Sequence, residues 1–156
     1  MLHIVLFEPE IPPNTGNIIR LCANTGFALH LIKPLGFCLD DKQLRRAGLD
    51  YHEWAQVQQY DSLAAFMQQV QPSTLYALST KAKRTYSDAH FKLGDALLFG
   101  PESRGLPEHI LTSLPQSQCL RLPMQRGSRS LNLSNTVAIL TYTAWQQFGF
   151  AGAVLS

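Results

Sequence analysis

Three loops carry more polar chemistry than their lengths require. Residues 14–20 read NTGNIIR, residues 99–107 read FGPESRGLP, and residues 128–138 read SRSLNLSNTVA. The last stretch sets three serines, two asparagines and an arginine directly against VAILTYTAW, the most apolar run of the chain. A helix start needs one Ser, Thr, Asn or Asp to cap its exposed amides, and Ser130, Asn132 or Ser134 would each serve. Five such residues are a surplus. In the middle loop Gly100 and Gly105 let main-chain amides and carbonyls come close to a bound molecule. Pro123, with its fixed φ, stiffens the approach to the third loop. Loops of this kind suit a neutral or cationic ligand gripped by backbone.

The common nucleotide and hydrolase signatures fail. No GxGxxG follows an apolar run. GPESRG has the glycine spacing of a phosphate loop, but Leu106-Pro107 replaces the required Lys-Ser/Thr. His52-Glu53 opens like a zinc helix, yet Gln56 stands where the second histidine belongs. The five histidines (His3, His30, His52, His90 and His109) are scattered and read as structural or surface groups. No GxSxG elbow is present.

The elements that must position these loops alternate. Short apolar runs at 2–7, 28–33, 74–80, 95–100 and 119–123 read as strands. Helical patterns occupy 17–26, 40–48, 61–71 with Asp61 as its cap, 107–114 with Pro107 first, and 134–148. EPEIPPNTGN reads as a loop between the first strand and the first helix. Strands separated by helices predict an α/β fold, one domain over 1–156 with a mostly parallel sheet between helices. In such folds ligands sit beyond the carboxyl ends of strands. The three suspicious loops all leave strands, so they should open on one edge.

Composition bounds the rest. Of 156 residues, 46% are hydrophobic and 15% charged, as in a compact globule. The net charge of +2 hides an asymmetry: no Asp or Glu follows Glu108, while Arg121, Arg126 and Arg129 do. Lys81, Lys83 and Arg84 form a second basic cluster, so RNA is a permitted partner. Cys22, Cys38 and Cys119 are odd in number and show no CxxC spacing, which suits reduced thiols in a cytoplasm. The amino terminus lacks a secretory pattern, and no apolar run is long enough to span a bilayer. A soluble, cytoplasmic protein without membrane contact is expected.

Taken together and in this order, the three loops resemble the motifs of the SPOUT class of RNA methyltransferases, in its 2′-O-ribose branch. The likeness runs through N14-T-G-N-I-I-R20, F99-G-P-E-S-R-G105-L-P, and L122-P-M followed by S128-R-S-L-N132-L-S-N135-T-V-A. Connecting segments such as LRRAGLDYHEW and the ending AWQQFGFAGAV resemble the small YibK/TrmL subfamily, so the likeness covers essentially the whole chain. It implies a deep C-terminal trefoil knot. It also implies methyl transfer from S-adenosylmethionine, leaving S-adenosylhomocysteine, to the ribose 2′-hydroxyl of nucleotide 34 in leucine tRNAs. A methyltransferase of another RNA such as rRNA, or a non-catalytic knot protein that binds nucleotide or RNA, are the alternatives.

Roles follow residue by residue. The resemblance implies that Leu78, Gly100, Leu122 and Ser130 line the cofactor pocket, and that no metal is used. It ties Arg20 to the chemistry. Guanidinium stays charged, so Arg20 is expected to clamp an RNA phosphate and the reacting ribose rather than act as a base. Glu102 is expected to serve as a base, to hold a ribose hydroxyl or Arg20, or to tie its loop in place by a salt bridge. Asn14 and Asn132 would orient the nucleotide, and Tyr142 would touch substrate or join the core. A knotted loop brings backbone polar groups inside, so part of the polar surplus at 128–135 is expected to be internal hydrogen bonding. The resemblance further implies a homodimer on an anticodon stem-loop, with Arg20 able to reach the partner's cofactor. Val137, Leu140, Ala144, Trp145 and Phe148 would form the dimer contact or the core. Lys42, Arg45 and Arg46 would form a solvated face or touch tRNA backbone.

Overall fold

The computed structural model describes residues 1–39, 42, 53 and 56–155. The helix expected at 40–48, with Arg45 and Arg46, and His52 lie outside the described residues; Lys42 is helical and exposed. The elements are β1 (His3–Phe7), α1 (Pro12–Thr25), β2 (Ala28–Ile32), β3 (Gln58–Tyr60), α2 (Leu63–Val70), β4 (Leu75–Leu78), β5 (Arg84–Thr85), β6 (Ala96–Phe99), α3 (Glu108–Ser113), β7 (Cys119–Arg121) and α4 (Leu133–Gln147).

The strands form one sheet in the order β3-β2-β1-β6-β4-β7-β5, and every described pair is parallel. Its central strands are almost wholly apolar, His3 and His30 apart, because both faces are covered. Ile4 and Leu6 of β1, with Leu97 and Phe99 of β6, point to the α1/α4 side and meet Ile18, Val137 and Leu140. Val5 and Phe7, with Ala96 and Leu98, point the other way and meet Phe66 of α2 and Ile110 of α3. Val137, Leu140 and Ala144 of α4 are therefore fully buried in this chain's own core, with Trp145 and Phe148 packed against it. Val137, Leu140 and Ala144 thus take the core role, while Trp145 and Phe148 stay partly buried at its margin.

Three expectations shift at this level. α1 begins at Pro12, five residues earlier than the helical pattern, because its two prolines occupy the first turn, where a missing N–H costs nothing. Ser62, rather than Asp61, caps α2 by accepting from the Ala65 amide at 3.0 Å. β3 and β5, three and two residues long, are added edge strands.

One connection has a consequence for topology. β7 lies between β4 and β5, although residues 79–83 join β4 directly to β5. Leu78 and Arg84 flank the same residue, Leu120, from opposite sides, so this segment crosses β7 just past the sheet edge. The Ser79 amide donates to the Leu120 carbonyl at 3.0 Å as the crossing begins.

At the opposite flank a chain of neutral side chains runs through the core. The Tyr60 hydroxyl donates its one proton to Gln58 Oε1 at 2.6 Å. His30 Nδ1, 2.9 Å from that hydroxyl, must then carry the proton between them, which leaves His30 Nε2 to accept from His3 Nδ1 at 2.9 Å. Burial, with the neighbouring His3, pushes the His30 pKa from 6.5 down to about 4. The unfolded chain therefore binds a proton that the folded chain refuses. Stability is expected to fall as pH drops from 6.5 toward 4, by at most about 3 kcal/mol from this group. Urea unfolding across that window checks it, and His30→Leu is expected to flatten the slope.

Candidate active site

Loops leaving β1, β4, β6 and β7 meet at the carboxyl edge of the sheet, as the strand pattern predicts. They enclose a cavity of about 550 Å³, within the roughly 300–1,000 Å³ of small-molecule sites. All four residues assigned to a cofactor from sequence (Leu78, Gly100, Leu122 and Ser130) line it. So do Asn14, Glu102 and Asn132. Arg20 and Tyr142 are not among the lining residues. Arg20 sits on the exposed side of α1, its Nε 2.9 Å from Glu53 Oε2. Tyr142 projects from α4, 45% exposed, its ring edge-on to Trp145.

A single polar relay joins the three motif loops. Glu102 Oε1 accepts from the Glu10 amide at 2.9 Å, and Oε2 accepts from the Ile11 amide at 2.7 Å and from Asn14 Nδ2 at 3.2 Å. Asn14 Oδ1 in turn accepts from Asn132 Nδ2 at 3.0 Å. Asn132 Oδ1 accepts from the Ser134 amide at 2.9 Å and its hydroxyl at 2.6 Å, capping α4. The polarity of the chain is fixed at both ends: a carboxylate can only accept and a backbone amide can only donate. Each asparagine therefore has one permitted orientation.

Glu102 also does for α1 what no local side chain does. Ile11 precedes the helix and makes no side-chain cap. A carboxylate at the first turn instead meets the amides and the positive end of the helix dipole. The salt bridge considered for Glu102 from sequence is thus a set of bonds to neutral donors. Two further acids strap the same loops together. Glu10 accepts from the Ser103 amide and hydroxyl at 2.8 and 2.7 Å, and Glu8 pairs with Arg104 Nη2 at 2.9 Å. The Ser103 amide and hydroxyl, with Arg104 nearby, hold Glu10 below the usual carboxylate range. Sequence reasoning missed this strap. Its only signal in the sequence is EPE directly after one strand and ESR two residues past the end of another.

Gly100 is required by close approach. A Cβ there would collide with the Leu106 amide nitrogen and come within 2.5 Å of the Gly105 carbonyl carbon. The polar surplus at 128–135 is mostly not internal. Residues 125–132 are exposed apart from the bonds that Asn132 makes inward, because β7 ends at Arg121 and the chain then passes over the cavity mouth.

The lining mixes apolar side chains (Leu78, Phe99, Leu106, Leu122) with main chain from four loops, a donor set that fits a molecule with a flat heterocycle and polar edges. Among the described residues no group of His, Cys, Asp and Glu could hold a metal ion, and no helix is long and apolar enough to cross a membrane. A parallel sheet thus carries, at its carboxyl edge, loops that this relay draws around one cavity. Residues 1–142 match the SpoU rRNA Methylase family, to which the chain belongs.

Its relatives narrow the class. The chain is 58% identical over 154 residues to the tRNA (cytidine(34)-2′-O)-methyltransferase of Aeromonas hydrophila, covering 99% of each. A solved structure concerned with 2-OH methylation of C/U34 on tRNA superposes with a TM-score of 0.87 at 45% identity, over 96% of this chain and 97% of that one. The SpoU methyltransferase AviRb from Streptomyces viridochromogenes, solved with the cofactor AdoMet, shares the fold at a TM-score of 0.81 and 23% identity, over 98% of this chain and 59% of that one.

Replacing the middle of the relay tests its polarity. Asn14→Asp puts a carboxylate oxygen where an amide now donates to Glu102 at 3.2 Å. It is expected to cost about 1–3 kcal/mol at neutral pH and to recover near pH 5, where the two carboxylates can share a proton. Asn14→Ala is expected to lose stability with no such recovery. Chemical unfolding at the two pH values distinguishes them.

Proposed function

We propose that this chain methylates the ribose 2′-hydroxyl of nucleotide 34 in leucine tRNAs, using S-adenosylmethionine. The relay that brings Asn14, Glu102 and Asn132 to one cavity carries the reading, in a chain 58% identical to a tRNA (cytidine(34)-2′-O)-methyltransferase. S-adenosylmethionine held by Leu78, Gly100, Leu122 and Ser130 supplies an electrophilic methyl group on a sulfonium.

The chain's own residues do the positioning. A carboxylate offers about four acceptor positions, and three on Glu102 are taken. The one left on Oε1 accepts from the ribose hydroxyl and aims its oxygen. Asn132 and Asn14, locked by the relay, orient the nucleotide. Arg20 clamps the adjoining phosphate, and the hydroxyl proton leaves to phosphate or solvent. Holding the reacting groups in this way lowers the barrier by removing the entropy of their encounter.

Arg20 and Tyr142 stand outside their own chain's cavity, which supports a homodimer in which they complete the partner's site. Exposed Tyr142, Phe150, Val154 and Leu155 are apolar surface available for such an interface. The crossing of β7 by residues 79–83 supports the trefoil knot. The partner is the anticodon stem-loop, where single-stranded bases are accessible, with Lys42 near enough to the surface to meet backbone. The three free thiols suit the reducing cytoplasm.

Purified protein, leucine tRNA and labelled S-adenosylmethionine are expected to yield methyl on the nucleotide-34 ribose, read by mass spectrometry. Arg20→Ala is expected to abolish it. Mixing Arg20→Ala with Glu102→Gln copies is expected to restore part of the activity through hybrid dimers with one intact site. Methyl on another nucleotide contradicts the substrate, and no recovery on mixing contradicts the shared site.

A further inference from the structure

A second groove of about 560 Å³ lies beside the first cavity and shares Ser79 and Lys81 with it. One wall is the crossing segment with Lys81, Lys83 and Arg84, and the other is α3 and the turn after it. The lining holds three cations and one carboxylate, Glu108, over an apolar floor that includes Leu111 and Leu114.

The cations are arranged for a polyanion. The Arg84 guanidinium donates to the Ser117 carbonyl through Nη1 and to the Asp88 carbonyl at 2.9 Å through Nη2. Neutral carbonyls thus hold its position without neutralising its charge. Lys81 pairs with Glu108 at 3.2 Å, but the two side chains are 69% and 71% exposed. Such a pair is weak and exchanges readily for a better anion. Lys83 is exposed between them.

We infer that this groove holds the RNA strand flanking the nucleotide in the first cavity. Phosphates lie on Lys81, Lys83 and Arg84, and a base rests against Leu111 and Leu114. Continuity with the cavity favours RNA over an acidic peptide, since one strand then occupies both. The inference rests on the methyl-transfer reading above.

The test measures binding of a leucine anticodon stem-loop at several salt concentrations for the full-length wild type, Lys83→Glu, Lys83→Ala and Lys92→Glu. Lys92 is exposed at the opposite, amino-terminal edge of the sheet, so it matches the charge change without the groove. Lys83→Ala is expected to lower the slope of log affinity against log salt by about 1, as for one lost phosphate contact. Lys83→Glu is expected to weaken binding further and to raise KM for tRNA, with S-adenosylmethionine affinity unchanged. Lys92→Glu is expected to follow the wild type. Unchanged slopes in both Lys83 variants, with the wild type binding and methylating RNA, overturn the groove alone. Failure of the wild type to bind the stem-loop overturns the groove and the methyl-transfer reading together.

Discussion

One carboxylate sets the geometry of the site. Glu102 lies on the loop after β6, yet it terminates α1 and orients Asn14, which orients Asn132, which caps α4. Three segments far apart in sequence are bound into one arrangement whose hydrogen-bond direction cannot be reversed. Asn14 is buried, so an unmade bond there would cost the full desolvation of its amide. The relay is satisfied at every described step. The residues that line the cavity are therefore held in place before any ligand arrives, as a reaction that depends on positioning requires.

The sheet makes such a relay possible. Because all described strand pairs are parallel, the loops that leave β1, β4, β6 and β7 emerge on one edge. Chain order reverses beside β1: β2 and β3 continue to one side, β6 and β4 to the other. The loops after β1 and β6 are thus neighbours at a switch point, where α/β folds place their ligands. The Glu8 and Glu10 contacts to Arg104 and Ser103 fasten that junction from its outer side.

Much of this was legible in the sequence. β1, β2, β4, β6 and β7 announce themselves as apolar runs because both sheet faces are buried. β3 and β5 do not, since QQY and RT are too short and polar to show a period. The start of α1 was hidden by PP, which reads as a loop until a distant carboxylate is known to terminate the helix. Leu78, Gly100, Leu122, Ser130, Asn14, Glu102 and Asn132 were drawn together by motif resemblance, and the fold brings them to one cavity. Their connections were not legible, because partners 88 and 118 residues apart leave no local signal. The core role of α4 was an open alternative that only packing decided.

The relay is tested most directly by a double-mutant cycle between Glu102 and Asn132, which are joined through Asn14. Stability would be measured by urea unfolding for Glu102→Ala, Asn132→Ala and the pair. If the relay holds, a coupling energy of about 0.5–3 kcal/mol is expected, and it disappears in an Asn14→Ala background. Effects that add to within about 0.5 kcal/mol, with or without Asn14, would contradict it.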